Sequence, residues 1–364
     1  MGALVVSDNF DIQSHKGVYS IFFRSKWLEN LDSSLLEGHH FLVDSKVAEL
    51  YAKQLAPVLN KPGTILIDAL EENKSIERVI PIIEQLIVNN TRRGDSLVAI
   101  GGGIVQDITC FIATIYLRGL NWKFIPTTLL AQADSCIGSK SSINLSSTKN
   151  ILGTFNPPSE IFVCPEFLDT LNEQEIKSGI GEILKVHAID SDDAFSQLAL
   201  NYDELKINHP LLNQYIHQAL LIKKKYIEID EFDKGIRNIF NYGHSFGHAI
   251  ESASKYLIPH GIAVSMGMDM ANRISTLRGL TPIENFNRMH SVLRKNYETF
   301  SKAMISLDEI ISALRKDKKN TATQLALIFP VGESAAIKRV DVLLDDDFRS
   351  QCQIFLDEMK NESH

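Results

Sequence analysis

Only four cysteines occur in the 364 residues, Cys110, Cys136, Cys164 and Cys352, and no two of them form a C-x-x-C pair. Neither a disulfide framework nor a zinc knuckle is indicated, and the thiols are expected to be reduced and incidental. The chain also lacks a basic excess: 37 Lys and Arg face 45 Asp and Glu, a formal net charge of −8. Nucleic acid and anionic membranes require a basic footprint, so neither is expected as a partner, and any anionic ligand must meet a local basic pocket. No apolar run is long enough to span a bilayer, and no charged start leads into an apolar core and a small-residue cleavage site. A cytoplasmic location is therefore expected. Internal repeats and low-complexity tracts are missing as well.

Apolar residues make up 44% and charged residues 23% of the chain, typical of a folded protein, and the length suggests two domains. The first part alternates short apolar runs with helical stretches: His40-Phe-Leu-Val-Asp44, Thr64-Ile-Leu-Ile-Asp68, and Ser96-Leu-Val-Ala-Ile100 leading into Gly101-Gly-Gly103. That pattern predicts an α/β dinucleotide-binding domain over 1–158. A glycine run between a strand and a helix lets backbone N–H groups approach a pyrophosphate, although a tight turn is the commoner reason for such a cluster and the G-x-G-x-x-G fingerprint is absent. Asp107 follows one turn into the helix, and Thr127-Thr128 closes the next strand, Trp122–Pro126. From about residue 160 the periodicity turns helical to the end, predicting a mostly α-helical metal- and substrate-binding domain over 159–364. Asn172-Glu-Gln-Glu175 has capping-box spacing and opens a helix that carries Glu182 and Lys185 one turn apart. The Ser-, Asn-, Gly- and Pro-rich stretch 144–158 is the expected connection.

The segment Arg237–Glu251 holds the densest chemistry. On one helix, at about 100° per residue, Arg237, Asn241, His244, His248 and Glu251 fall in one narrow sector, with Ile239, Tyr242, Phe246, Ala249 and Ile250 roughly opposite. A solvated face ordinarily carries Lys, Glu, Gln and Ala, whereas this one carries two His, an Arg and an Asn beside Gly243 and Gly247. Each interior Gly costs roughly 1 kcal/mol relative to Ala, which points to close backbone approach and a buried site. Zinc and similar ions accept imidazole and carboxylate, typically from three protein ligands. Glu182, His244 and His260 can supply such a set, and so can His244 with His248 at i, i+4; spacing alone leaves both open.

Several motifs then occur in a fixed order: Gly101-Gly-Gly-Ile-Val-Gln-Asp107, Tyr116-Leu-Arg-Gly119, Ile125-Pro-Thr-Thr-Leu-Leu-Ala-Gln-Ala-Asp134, Lys149-Asn150, Gly179-Ile-Gly-Glu-Ile-Leu-Lys185, Asn241–Glu251 and Lys316-Asp-Lys-Lys319. Over about residues 40–330 this order resembles the 3-dehydroquinate synthases of the sugar-phosphate cyclase superfamily. The resemblance implies an NAD- and zinc-dependent (alternatively cobalt-dependent) homodimeric lyase of the shikimate pathway, which serves aromatic amino-acid biosynthesis. Such an enzyme converts 3-deoxy-arabino-heptulosonate 7-phosphate to 3-dehydroquinate by transient oxidation, β-elimination of phosphate, re-reduction and aldol closure.

Position by position, the resemblance makes Glu182, His244 and His260 the metal ligands and turns His248 toward substrate. Lys140 and Arg237 correspond to the residues that hold the substrate carboxylate. Asp134, Lys149, Asn150, Lys185, Lys223, Asn241 and Lys319 correspond to other substrate contacts, and Arg118 to one donated by the partner subunit. Asp44, Glu71, Lys74, Gly102, Gly103, Asp107, Thr127, Thr128, Lys149, Thr170 and Leu171 correspond to NAD contacts.

The chain departs from the family in three places. Gly138-Ser-Lys-Ser-Ser-Ile-Asn-Leu-Ser-Ser-Thr-Lys-Asn150 stands where the family usually reads G-G-K-T-G-V-N-H-P-L-G-K-N, so Ser139, Ser142 and Thr148 replace glycines. Ile262 stands where a Glu usually follows His-Gly, and Gly181 replaces a common Ala. Asn144-Leu-Ser-Ser is also similar to 2-deoxy-scyllo-inosose synthases, which cyclise glucose 6-phosphate; sedoheptulose 7-phosphate is a further alternative. Arg237 and Asn241 favour the carboxylate-bearing heptulosonate, because a buried guanidinium without an anion is costly. A metal-dependent polyol dehydrogenase would accumulate NADH, and a non-catalytic relative would neither turn over nor retain zinc.

Overall fold

The computed structural model describes residues 9–29, 37–146, 148–316 and 323–361. Lys319, expected at the site, lies outside the described residues. The chain divides into two compact units, Met1–Leu171 with Ile216–Phe232, and Asn172–Tyr215 with Asp233–His364.

The first unit is built on strands β1 (Phe10–Ser14), β2 (Gly17–Phe23), β3 (His39–Asp44), β4 (Ile65–Ile67), β5 (Ser96–Gly101), β6 (Asn121–Pro126), β7 (Lys140–Leu145), β8 (Thr148–Phe155) and β9 (Glu160–Val163). Its helices are α1 (Ser45–Leu50), α2 (Ala56–Leu59), α3 (Ile76–Val88) and α4 (Gly103–Ile115). Seven strands form one sheet in the order β1-β2-β9-β6-β5-β3-β4, antiparallel only at β1/β2. Parallel strands are covered on both faces, which is why Leu97, Val98, Ala99 and Ile100 are a continuous buried run. The chain moves outward from β3 to β4, then returns to β5 and continues outward through β6 on the other side. That reversal places the ends of β3 and β5 side by side, paired through Val43 and Ile100. The C-terminal ends at such a switch point form the natural ligand crevice of an open α/β sheet.

The second unit contains α5 (Glu173–Asp190), α6 (Asp192–Leu200), α7 (Tyr202–Leu205), the start of α8 (His209–Ile229), α9 (His244–Ala253), α10 (His260–Leu277), α11 (Ile283–Tyr297), α12 (Leu307–Lys316), a hairpin of β10 (Gln324–Val331) and β11 (Ala336–Leu343), and α13 (Asp346–Asn361). The Asn172–Glu175 capping box forms as expected and opens α5. Buried from Gly261 to Asn272, α10 runs through the core of this unit. Several of its polar residues are satisfied internally: Asn296 reaches Ser265, Tyr242 donates to Asn272, and Ser275 donates to the Pro330 carbonyl.

Four expectations are corrected. The stretch 144–158 is no connection: most of it is the β7/β8 hairpin, and β9 still belongs to the sheet, so the first unit passes residue 158 and ends at Leu171. Later in the chain Ile216–Phe232 returns to the first unit, which a single boundary at 158/159 does not accommodate. The chain is not helical to its end, because β10 and β11 form an antiparallel hairpin. Arg237–Glu251 is not one helix. A 3-10 turn covers Ile236–Asn241, and Gly243 at φ +75° breaks the path before α9 begins at His244. No helix among the described residues is long and apolar enough to cross a membrane.

Candidate active site

In the second unit, three elements bring together Glu182 on α5, His244 at the start of α9 and His260 at the start of α10. Their spacing is fixed by backbone contact between α5 and α10. A methyl on Gly181 would lie 2.0 Å from the Gly261 carbonyl oxygen, and one on Gly261 would lie 1.8 Å from that of Ser178, so only glycine allows this approach. These glycines directly adjoin the two ligand candidates. The same contact accounts for Gly181 in place of the usual Ala.

The Glu182 side chain is 1% exposed. Its Oε1 accepts no hydrogen bond, yet lies 3.3 Å from His260 Nε2 and 3.7 Å from His244 Nε2. Both imidazoles are held through their other nitrogen, His244 Nδ1 3.3 Å from the Tyr242 carbonyl and His260 Nδ1 3.1 Å from Glu251 Oε2. This is the support that metal-bound histidines ordinarily receive, orienting Nε2 toward one point. Glu251 on α9 supplies the carboxylate that Ile262, itself buried, does not. A buried carboxylate oxygen without a donor and two oriented imidazole nitrogens fit a zinc-like cation.

Glu182 and His244 are held in the forms that ligate a cation. Burial would raise the Glu182 carboxyl, but the Lys185 ammonium and then His244 and His260 hold it well below the usual range. Burial and the Lys185 charge drive His244 well below its usual value. Burial disfavours charge on His260, but its contacts with Glu182 and Glu251 outweigh this and raise it to about 10, tempered by solvent at its partly open face. Lys185 sits against Glu182 Oε2 and over the Phe240 ring.

The exposed His248 ring stands 5.4 Å from that of His244 and 5.5 Å from that of His260, centroid to centroid. The ligand nitrogens of the three histidines lie within 4.8 Å of one another. Both ligand sets left open by spacing are thus assembled; the buried Glu182 oxygen favours the set that contains it. Arg237 is buried in the 3-10 turn, and Asn241 Nδ2 donates to the Asn238 carbonyl at 3.0 Å.

In the first unit, Gly101–Gly103 closes β5 and opens α4, with Gly102 at the N-cap. A methyl on Gly101 would meet Val105 Cγ2 at 2.6 Å and Asp44 Cβ at 3.3 Å; one on Gly102 would meet Thr128 Cγ2 at 3.0 Å. Asp44, Thr128 and the glycine run are therefore neighbours. Thr127 N bonds the Gly101 carbonyl at 2.9 Å, while Thr128 Oγ1 accepts from Ala131 N at 3.2 Å.

Beside them lies a polar network. Lys74 Nζ donates to Asp107 Oδ2 at 3.0 Å and Asn150 Oδ1 at 2.9 Å, and Glu71 is 3.8 Å from Lys74 and 3.9 Å from Lys149. Burial pushes the Asp107 carboxyl up, with Lys74 opposing. Ser142 and Asn144 complete the network, and the sequence gives no warning of it, since polar residues in a hairpin are unremarkable. Lys223 on α8 donates to the Asp134 carbonyl at 2.5 Å and lies 3.2 Å from its carboxylate.

Other expected residues lie on further elements. Thr170 Oγ1 meets Tyr51 Oη at 3.1 Å, and Leu171 ends the turn after β9, two strands from β5. Arg118 is exposed in a left-handed turn, and Lys140 is exposed at the start of β7.

An open parallel sheet with glycines at its switch point, together with a helical unit holding a carboxylate and imidazole cluster, is the fold of the sugar-phosphate cyclases. A 2-epi-5-epi-valiolone synthase from Streptomyces hygroscopicus, solved with NAD+ and Zn2+ bound, has TM-score 0.79 and 25% identity, covering 94% of this chain and 96% of its own. A 2-deoxy-scyllo-inosose synthase solved with carbaglucose-6-phosphate, NAD+ and Co2+ also has TM-score 0.79, at 22% identity, covering 96% and 99% of the two chains. Residues 64–178 match the 3-dehydroquinate synthase N-terminal family and residues 179–320 the C-terminal one. The 3-dehydroquinate synthase of Dictyoglomus turgidum is 36% identical over 331 residues, 90% of each chain, and that of Pelagibacter ubique 34% over 346 residues, 90% of this chain and 92% of its own. The chain belongs to the 3-dehydroquinate synthase family.

Proposed function

We propose that this protein is a lyase that cyclises 3-deoxy-arabino-heptulosonate 7-phosphate to 3-dehydroquinate with release of phosphate. The observation that carries the proposal is the Glu182, His244 and His260 cluster with its Glu251 support, in a chain of this family that also buries Arg237. Zinc, or cobalt in its place, would be held by those three residues; when bound, it supplies Lewis acidity toward substrate hydroxyls. NAD would be held by Asp44, Glu71, Lys74, Gly102, Gly103, Asp107, Thr127, Thr128, Lys149, Thr170 and Leu171; when bound, it accepts a hydride and returns it within one turnover.

In this reading Arg237 and Lys140 bind the substrate carboxylate, for which a planar guanidinium is well suited. Asp134, Lys149, Asn150, Lys185, Lys223, Asn241, His248 and Lys319 hold hydroxyls and phosphate, and Arg118 serves the site of a partner subunit in a homodimer. Lys185 neutralises Glu182, and Glu251 keeps His260 Nε2 turned toward it. The serine-rich hairpin favours a second reading, cyclisation of glucose 6-phosphate or sedoheptulose 7-phosphate. Against it stands Arg237, which the heptulosonate reading assigns to a carboxylate that neither of the other sugar phosphates carries.

The test is phosphate release by zinc-loaded protein with NAD and each of the three sugar phosphates. Release from the heptulosonate without NADH accumulation is the expected result. Release only from another sugar phosphate would transfer the assignment to that substrate, and net NADH formation would mean dehydrogenase chemistry.

A further inference from the structure

We propose that Ser142 is a positioning residue that makes the Asn150 carboxamide a fixed hydrogen-bond donor toward an oxygen of the bound sugar phosphate, a proposal that rests on the sugar-phosphate reading above. Ser142 Oγ donates to Asn150 Oδ1 at 2.8 Å, and Lys74 Nζ donates to the same oxygen at 2.9 Å. An ammonium has no lone pair, so rotating the amide would turn an NH2 group onto Lys74 and forfeit that bond; the Ser142 hydroxyl, which also lies 3.5 Å from Asp107 Oδ2, adds a second bond that holds the amide in the orientation Lys74 selects. Asn150 Nδ2 makes no hydrogen bond among the described residues, and Asn150 is exposed. The free NH2 therefore offers two protons outward, and the ligand group that meets it must be an oxygen acceptor.

The surroundings fix Asn150 further. Its backbone N donates to Asn144 Oδ1 at 2.8 Å, and Asn144 Nδ2 donates to Glu71 Oε1 at 3.0 Å. Asn150 has φ +52°, a left-handed conformation that asparagine tolerates better than most residues. Ser142 N also bonds Asp107 Oδ1 at 3.0 Å, so the serine joins the ammonium–carboxylate pair to the amide. A glycine at 142, the usual family residue, would keep the N–H bond but has no hydroxyl. Asn150 would then be held through Lys74 alone, and its NH2 group would be less rigidly aimed. The serine thus narrows what the site accepts.

The experiment combines Ser142→Ala, Ser142→Thr, Asn150→Ala and Ser142→Ala/Asn150→Ala in full-length, zinc-loaded protein. Losing one hydrogen bond to a polar group predicts that Ser142→Ala raises KM for the sugar phosphate by about 2- to 10-fold, with kcat within about twofold. Ser142→Thr should restore most of the loss. Because the hydroxyl acts through the amide, Ser142→Ala should add nothing in the Asn150→Ala background. Additive effects, or an unchanged KM in Ser142→Ala, would overturn the proposal. A second readout needs no turnover: with 15N-asparagine labelling, the Asn150 NH2 pair should shift in Ser142→Ala and be recovered in Ser142→Thr. Spectra identical across the three proteins would also overturn it. If no sugar phosphate is turned over at all, the functional reading fails while the amide spectrum still decides the positioning.

Discussion

Glu251 was visible from the sequence as a polar neighbour of two histidines, but its job was not. Helical periodicity put it on the face of His244 and His248, and the structure pairs it with His260 Nδ1 at 3.1 Å, nine residues along the chain. A pairing across a turn leaves no periodic trace, so only coordinates disclose it. Supporting carboxylates of this kind affect metal affinity by about 10- to 100-fold. Glu251→Gln is accordingly expected to weaken zinc binding by about that factor in a competitive chelator titration, with the folded spectrum retained. Unchanged affinity would remove Glu251 from the support of His260. That Glu182, His244 and His260 come together was foreseeable because the motifs carry them; the part of Ser142 and Asn144 in the network was not, because it depends on which neighbours a hairpin brings to Asp107 and Glu71.

At the scale of elements, the Arg237–Glu251 segment departs furthest from helical periodicity. His244, His248 and Glu251 do gather, with His260, and the apolar residues Tyr242, Phe246 and Ile250 are buried, but two pieces of secondary structure carry the segment where periodicity suggested one. Gly243 makes the break: its φ is +75°, and a methyl there would lie 2.5 Å from Met268 Cγ and 2.7 Å from the Val264 carbonyl oxygen. Gly243→Ala is therefore expected to destabilise the protein by about 2 kcal/mol or more, combining left-handed strain with overpacking, and to lower zinc affinity because His244 follows directly. Urea unfolding and metal titration check the two effects separately. The strands of the first unit were legible because buried parallel strands read as apolar runs. By contrast, β11 has mostly exposed or half-buried positions, and β10 carries Pro330, so neither announces itself.

For the molecule as a whole, the four cysteines give a prediction in pH. All are buried and free. Burial pushes the thiols up, to about 11 for Cys110 and about 12 for Cys136 and Cys352. An unfolded chain ionises its thiols near pH 9, whereas the folded chain keeps them neutral, so their contribution to stability is complete below about pH 9 and is lost as pH rises toward 12. Urea midpoints should fall along this alkaline limb, and less steeply in Cys136→Ala; a limb of unchanged slope would exclude the thiols as its cause. Thiol reagents should fail to label native protein at pH 8 and label all four in urea. At this scale the two-part organisation was legible from the change in periodicity. The return of Ile216–Phe232 to the first unit was not, since nothing in the composition of a long amphipathic helix says which core each end joins.

The contact of Gly181 with Gly261 means that the proposed seat for a metal is cut into the main chain. Ligands held apart by touching backbones need no ion to assemble them, unlike small domains that are unfolded without one. Exhaustive chelation should therefore leave helical circular dichroism intact and lower the melting temperature only modestly; loss of the fold would show that the ion, and not the glycines, sets the spacing. A seat that stands without its ion would be one that can be emptied and refilled, so the ion it holds would reflect supply as much as design.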